Sequence, residues 1–216
     1  MNLNKFLLLL ILPLLLLACG GEEKVLPIFG QKDIVEKEIN GEMVSVEEPI
    51  PLPDFSFTDH MGREVSMETV KGKVHIADFF FTSCPTICPK MKKQMKRIHD
   101  EFSDTPDLLL LSHSIDPRHD SVNVLNRYAG KLGIDGDRWR FMTGEKKEIY
   151  EAARFYMITA AEDKNAPGGY AHSGAFILFD RDHRIRGYYD GTLAEEADNL
   201  MDDIRILLKE PWGEEK

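Results

Sequence analysis

Residues 74–81 are apolar at every position except His75 and Asp78, and a second run, 108–115, opens on four leucines and closes on Ile115. A strand with two apolar faces must be covered on both sides, the condition of a parallel strand inside an α/β sheet. Between the runs, Met91, Met95, Ile98 and Phe102 recur at helical spacing. Strand, helix and strand make a βαβ unit, right-handed by the twist of its strands.

The rest of the chain continues the alternation. Residues 55–58 and 63–65 read as strands around a turn at 59–62. A helix over 122–132, a strand over 139–142 and a helix over 145–155 follow. After a loop at 163–170, the runs 174–179 and 185–189 pair through Asp180-Arg181-Asp182-His183, and an amphipathic helix over 193–208 closes the chain. The order predicts an α/β protein with a thioredoxin-like fold: a central mixed sheet flanked by helices, with an N-terminal hairpin and a helical insertion.

Residues 6–17 are apolar apart from Pro13 and follow the single cation Lys5. The run falls short of the about 20 residues a comfortable transmembrane helix needs, and reads as a secretory signal. It ends on Leu16-Leu17-Ala18-Cys19-Gly20-Gly21, which resembles the bacterial lipobox, so Cys19 is expected to be acylated as the mature N-terminus. Each buried methylene of the acyl chains contributes about 0.8 kcal/mol to membrane attachment. The expected division is a signal peptide over 1–18, a lipidated acidic tether over 19–53 with a hairpin near residues 35–46, a folded domain over 54–210 and a tail over 211–216. The expected location is the extracytoplasmic side of a cell-envelope membrane. A net charge of -10 argues against nucleic acid, whose phosphates call for basic patches.

With Cys19 spent on lipid, two of the three cysteines remain, in Cys84-Pro85-Thr86-Ile87-Cys88-Pro89 at the end of the first buried strand. Pro85 suits the first helical position, which would place Cys84 at a helix N-terminus, where thiolates are stabilised. Cys88 should share this activation to a lesser degree. Spacing of i and i+4 would then put both sulfurs on one helical face, with Cβ atoms about 5 to 6 Å apart. Soft thiolates favour Cu(I) or Zn(II), and two sulfurs leave a coordination sphere incomplete. A plain structural disulfide is the alternative, although closing so small a loop removes little chain entropy. Met91 and Met95 continue the cysteine face, and core packing is their expected role.

Seven histidines compete as third ligand. His99 lies eleven residues past Cys88, about 16 Å along a helix, and is out of reach. His60 and His183 fall in turns, and His75 near the far end of its strand. His113 and His119 lie near the C-terminal edge of the second strand, where α/β sites form, and remain competitors. His172 precedes a strand expected to run antiparallel, which also brings it to that edge.

Together, Cys84-Pro85-Thr86-Ile87-Cys88-Pro89, Ser114-Ile115-Asp116-Pro117-Arg118-His119-Asp120, Trp139-Arg140-Phe141-Met142-Thr143-Gly144 and Tyr170-Ala171-His172-Ser173 resemble the Sco/SenC family over residues 53–208. The resemblance implies a membrane-tethered, thioredoxin-fold copper carrier that helps assemble the copper centre of cytochrome c oxidase. It also implies that Cys84, Cys88 and His172 are the copper ligands, and a copper-accepting oxidase subunit or another extracytoplasmic thiol protein as partner. Two positions depart from the family pattern. Ala171 stands where aspartate usually precedes the histidine, removing a carboxylate that would orient the imidazole. Asp78, six residues before Cys84, stands where many members are apolar; thioredoxins carry a buried aspartate at that offset, whose raised pKa would let it exchange a proton with Cys88 and favours redox work, the alternative being a carboxylate hydrogen-bonded within the core. The rival function is therefore a thiol-disulfide oxidoreductase, with Cys84 attacking, Cys88 resolving and Asp78 handling the proton. A thiol peroxidase would need an arginine close to Cys84, and the sequence has none nearby. Asp116, Arg118 and Asp120 are candidate partner-docking residues, or simply form the turn around Pro117.

Overall fold

The computed structural model describes residues 24–50 and 52–212. Cys19 and the apolar run before it lie outside the described residues. In chain order, β1 (Lys32–Ile39) and β2 (Glu42–Pro49) form a hairpin, and β3 (Ser56–Asp59) and β4 (Glu64–Ser66) a second. A short helix α1 (Met67–Val70) leads to β5 (Val74–Phe80), α2 (Cys88–Glu101), β6 (Leu108–Ser114), α3 (Val122–Lys131) and β7 (Trp139–Thr143). Then come α4 (Lys146–Phe155), β8 (Ala160–Glu162), β9 (Tyr170–His172), β10 (Ala175–Phe179), β11 (Ile185–Asp190) and α5 (Ala194–Lys209).

The main sheet has the order β11-β10-β5-β6-β7-β3-β4. β5, β6 and β7 run parallel at its centre, and β10 and β3 flank them antiparallel, so the sheet is mixed as expected. Every residue of β5 and of β6 is buried, which is why both read as near-continuous apolar runs. The register sets Asp78 opposite Ser112 and Phe79 opposite His113. On the Asp78 face lie α2, whose Lys92 reaches Asp78, and α3, whose Tyr128 packs on Phe80 with ring centroids 5.5 Å apart. α5 lies beside α2, joined by Arg97–Asp198 and Arg205–Glu101 ion pairs. On the opposite face Tyr156, at the end of α4, meets Phe79, His113 and Phe179.

The early hairpin turns at Asn40 and Gly41, both with positive φ, the combination a tight two-residue turn requires. The segment before it departs from a free tether. Leu26 is buried, Arg186 donates to the carbonyls of Leu26 and Pro27, and the Phe29 amide bonds the Ile185 carbonyl at 2.8 Å. An otherwise unpaired edge of β11 is covered in this way. A second difference is the small β8–β9 hairpin, part of which the sequence suggests as loop; strands of three residues rich in alanine and glycine neighbours carry no periodic signal.

Candidate metal centre

The site begins with the turn leaving β5. The Cys84 amide donates to the Phe81 carbonyl at 3.2 Å, while Thr82 donates both its amide and its hydroxyl to Asp120. Ser114 donates to the same carboxylate at 2.6 Å. Asp120, expected among the partner-docking residues, is fully buried and instead ties the cysteine turn to the end of β6. Four donors around one buried carboxylate explain why an acidic residue is tolerated there.

Helix α2 starts at Cys88, not at Pro85, which corrects the expected helical i, i+4 pair. Pro89 occupies the first helical turn, where its missing N–H leaves no bond unmade, and the Met91 amide opens the ladder onto the Ile87 carbonyl at 3.0 Å. Cys84 sits in the turn before the helix. Its sulfur still comes close to that of Cys88, because the turn folds back over the helix N-terminus. Met91 and Met95 are fully buried and serve packing, as expected.

His172 ends β9 and completes the group. Its Nε2 lies 3.4 Å from the Cys88 sulfur and 3.9 Å from that of Cys84, and all three donor atoms fall within 4.8 Å of one another. The other ring nitrogen, Nδ1, lies 3.1 Å from the Ser173 carbonyl oxygen. A carbonyl only accepts, so Nδ1 carries a proton; Nε2 faces the sulfurs, where it offers its lone pair to a metal in the neutral ring and donates to the Cys84 thiolate in the protonated one. This backbone carbonyl does the orienting that a carboxylate at position 171 would otherwise perform.

The hairpin carrying His172 is held against the cysteine turn by Phe81, whose ring meets Tyr170 at 5.1 Å and His172 at 5.8 Å. Gly168, with φ of 81°, makes the approach possible: a Cβ there would sit 2.7 Å from Phe81 Cε2 and 3.3 Å from Pro85 Cδ. The sequence reading treats this stretch only as loop; the paired glycines Gly168 and Gly169 are the feature that could have marked the close contact.

The two thiols are free and unequal. Burial works against the Cys84 thiolate, but contacts from His172 and Cys88 and the amides of Thr86 and Cys88 outweigh it and hold its pKa at about 6. Cys88 goes the other way. Burial, reinforced by the neighbouring Cys84 sulfur, pushes it well above the ordinary thiol range, so the expected mild activation of Cys88 is reversed. Cys88 is 1% exposed against 8% for Cys84, and the donors that offset burial at Cys84 do not offset it here.

The competing histidines lie elsewhere. His113 is enclosed by Phe57, Phe79 and Tyr156, and His119 turns its Nδ1 to Asp120. His60 accepts the Phe141 amide, and His75 stacks on Phe179 at the other end of β5. Arg118 is exposed and paired with Glu162, and Asp116 is half-buried in the loop after β6.

Asp78 is fully buried and both its oxygens are engaged, Oδ2 by Lys92 at 2.6 Å and Oδ1 by the Ser112 hydroxyl. Ser112 in turn accepts from Lys92 and from the Trp139 indole, each at 2.9 Å. Lys92 lies 4.2 Å over the Phe80 ring, and only 2% of its side chain is exposed. The sequence reading did not single out this lysine, although it stands one helical turn after Cys88 and faces the position of Asp78.

A thioredoxin-like domain in which two thiols and an imidazole converge where β5 passes into α2 defines a protein with a site for a soft metal ion. The sequence model of the SCO1/SenC family matches residues 47–209, and the chain belongs to that family. It is 29% identical over 194 residues to a SCO1 protein homolog of Bacillus subtilis (strain 168), covering 89% of this chain and 90% of the relative. It is 28% identical to a putative copper-binding protein of Stutzerimonas stutzeri, covering 66% of this chain and 70% of the relative. Among solved structures it resembles BsSco, a member of the Sco family of cytochrome c oxidase assembly proteins described as having a disulfide switch, with 28% identity and a TM-score of 0.65. That match covers 74% of this chain and 94% of the other.

Proposed function

We propose that this protein is a copper carrier, lipid-anchored through Cys19 on the extracytoplasmic side of a membrane, that assists assembly of the copper centre of cytochrome c oxidase. The observation that carries the reading is the convergence of Cys84, Cys88 and His172 within 4.8 Å. Two sulfurs and one imidazole suit copper, whereas a structural zinc site closes with four ligands. Membership of the SCO1/SenC family, the copper-binding relative and the oxidase-assembly relative support the same cargo and destination. Cys84 and Cys88 as thiolates hold Cu(I) or Cu(II), His172 completes the site, and ligand exchange passes the ion to a copper-accepting oxidase subunit. Asp116 and Arg118, at the loop after β6, are candidate contacts for that partner.

Competition of the reduced protein for Cu(I) against a chromophoric chelator tests the assignment. Cys84→Ala, Cys88→Ala and His172→Ala should each weaken binding by more than about tenfold, the loss that even outer partners of a ligand cause. Wild-type binding no tighter than that of the triple variant would remove the carrier reading.

The unequal thiols favour a second activity of the same pair, thiol-disulfide exchange. The Cys84 thiolate attacks a partner disulfide and displaces one partner thiolate. Cys88 then loses its proton, attacks the Cys84 sulfur and releases the second partner thiol, so two electrons leave this chain as its own disulfide forms. In this reading Asp78 handles the Cys88 proton through Lys92, to which it is bonded. Alkylation of the metal-free protein should show a Cys84 midpoint near pH 6 that rises in His172→Ala; a midpoint at the ordinary thiol value in both would count against it.

A further inference from the structure

A cavity of about 540 Å³ opens beside Cys84 along α2. Its lining combines Cys84 with an apolar floor of Pro89, Tyr128 and Leu132 and, among its charged side chains, Lys93, Lys96 and Asp100; neither Cys88 nor His172 lines it. Whatever occupies this groove therefore meets Cys84 before the other two donors.

Charge selects the occupant. The whole chain carries -10, yet α2 bears Lys90, Lys92, Lys93, Lys96 and Arg97 within eight positions. Lys96 is paired with Asp100 at 2.6 Å and Arg97 with Asp198, while Lys93 makes no ion pair among the described residues. The exposed Lys93 ammonium and the positive end of the helix dipole add in the same direction beside the thiol. An apolar floor with a free cation at its rim, reaching Cys84, fits an extended peptide with apolar and acidic side chains. A lipid headgroup would satisfy the cation but would have no use for a thiol at the end of the groove.

We infer that the α2 groove docks an acidic, cysteine-bearing segment of the partner protein and delivers its sulfur to Cys84. This deepens the carrier reading by naming the chemistry of the partner and the ligand at which exchange begins.

The test uses the full reduced chain carrying Cys88→Ser, so that a mixed disulfide at Cys84 persists. The probes are two peptides of equal length whose single cysteine is activated as a disulfide with neutral thiopyridine, one flanked by aspartate and glutamate and one by lysine. Cys84 attacks the peptide sulfur and thiopyridone leaves, so its release reports the rate. At low salt the acidic peptide should react about tenfold faster, and added salt should erase the difference. Lys93→Glu should abolish the preference and Lys93→Arg restore it, with the rate toward neutral iodoacetamide unchanged in both. Equal rates for the two peptides would overturn the inference. So would an equal fall in the iodoacetamide rate of Lys93→Glu, which would place the effect on the sulfur itself. Lys93-dependent binding of phosphatidylglycerol vesicles with no peptide preference would assign the groove to a membrane surface instead. Cu(I) competition on the unmodified cysteine pair separates the two readings: loss of copper binding with the acidic preference intact removes the carrier and leaves the groove.

Discussion

Two buried histidines outside the site should make this fold acid-sensitive well above the carboxylate range. His75 is stacked on Phe179, with ring centroids 4.5 Å apart and planes within 4°, and His183 is its neighbour at 5.9 Å. His113 lies among Phe57, Phe79 and Tyr156. No ring nitrogen of either histidine has a hydrogen-bond partner among the described residues. Burial holds His75 at about 3, aided by His183, and holds His113 at about 4 despite the opposing field of Asp78, against 6.5 for an exposed imidazole. Both pKa values are lowered on folding, so near pH 5 the unfolded chain binds more protons than the folded one. Stability is therefore full above about pH 6.5 and falls as the pH drops toward the folded values. At pH 5 each site costs about 2 kcal/mol, a tenfold difference per pH unit over roughly 1.5 units, and the two together about 4 kcal/mol. Guanidinium unfolding of the reduced, metal-free protein at pH 7.5 and pH 5 measures this directly. His75→Phe and His113→Phe should each reduce the pH-dependent loss by about 2 kcal/mol, whatever they do to stability at pH 7.5. Equal stability at the two pH values, or a full loss retained in both variants, would refute the assignment of these rings as neutral in the fold.

Two further outcomes concern the supports of the site. Lys92→Met leaves the Asp78 carboxylate buried beside Ser112 alone and should cost about 3 to 5 kcal/mol in denaturant unfolding, whereas Asp78→Leu combined with Lys92→Met should restore most of it; equal costs would mean the pair is not coupled. Gly168→Ala places a Cβ 2.7 Å from Phe81 in a left-handed backbone conformation and should destabilise by about 1 to 3 kcal/mol. Because β9 moves with that turn, Cu(I) affinity should fall toward that of His172→Ala, and unchanged affinity would show that the hairpin is positioned by other contacts.

What could be read from the sequence was what depends on local chemistry and period. The two apolar runs specified parallel central strands because only a sheet covered on both faces tolerates leucine and phenylalanine on both sides of a strand. The cysteines were legible as one site because they are close in the chain and follow the first of those strands. The tertiary structure decided what depends on contacts between distant segments. α2 opens at Cys88, with Pro89 rather than Pro85 in its first turn, and that moved Cys84 off the helix and into the turn tied to Asp120. The unequal acidities of the thiols follow from burial that hydrogen bonds outweigh at Cys84 and not at Cys88, which spacing does not encode. The choice of His172 over His113 and His119 likewise required the fold: all three belong to the same sheet edge in sequence terms, but His113 points into an aromatic core and His119 toward Asp120. The close approach of Gly168 to Phe81 and the packing of Phe81 on Tyr170 and His172 bring an imidazole, 84 residues from Cys88, within reach of both sulfurs.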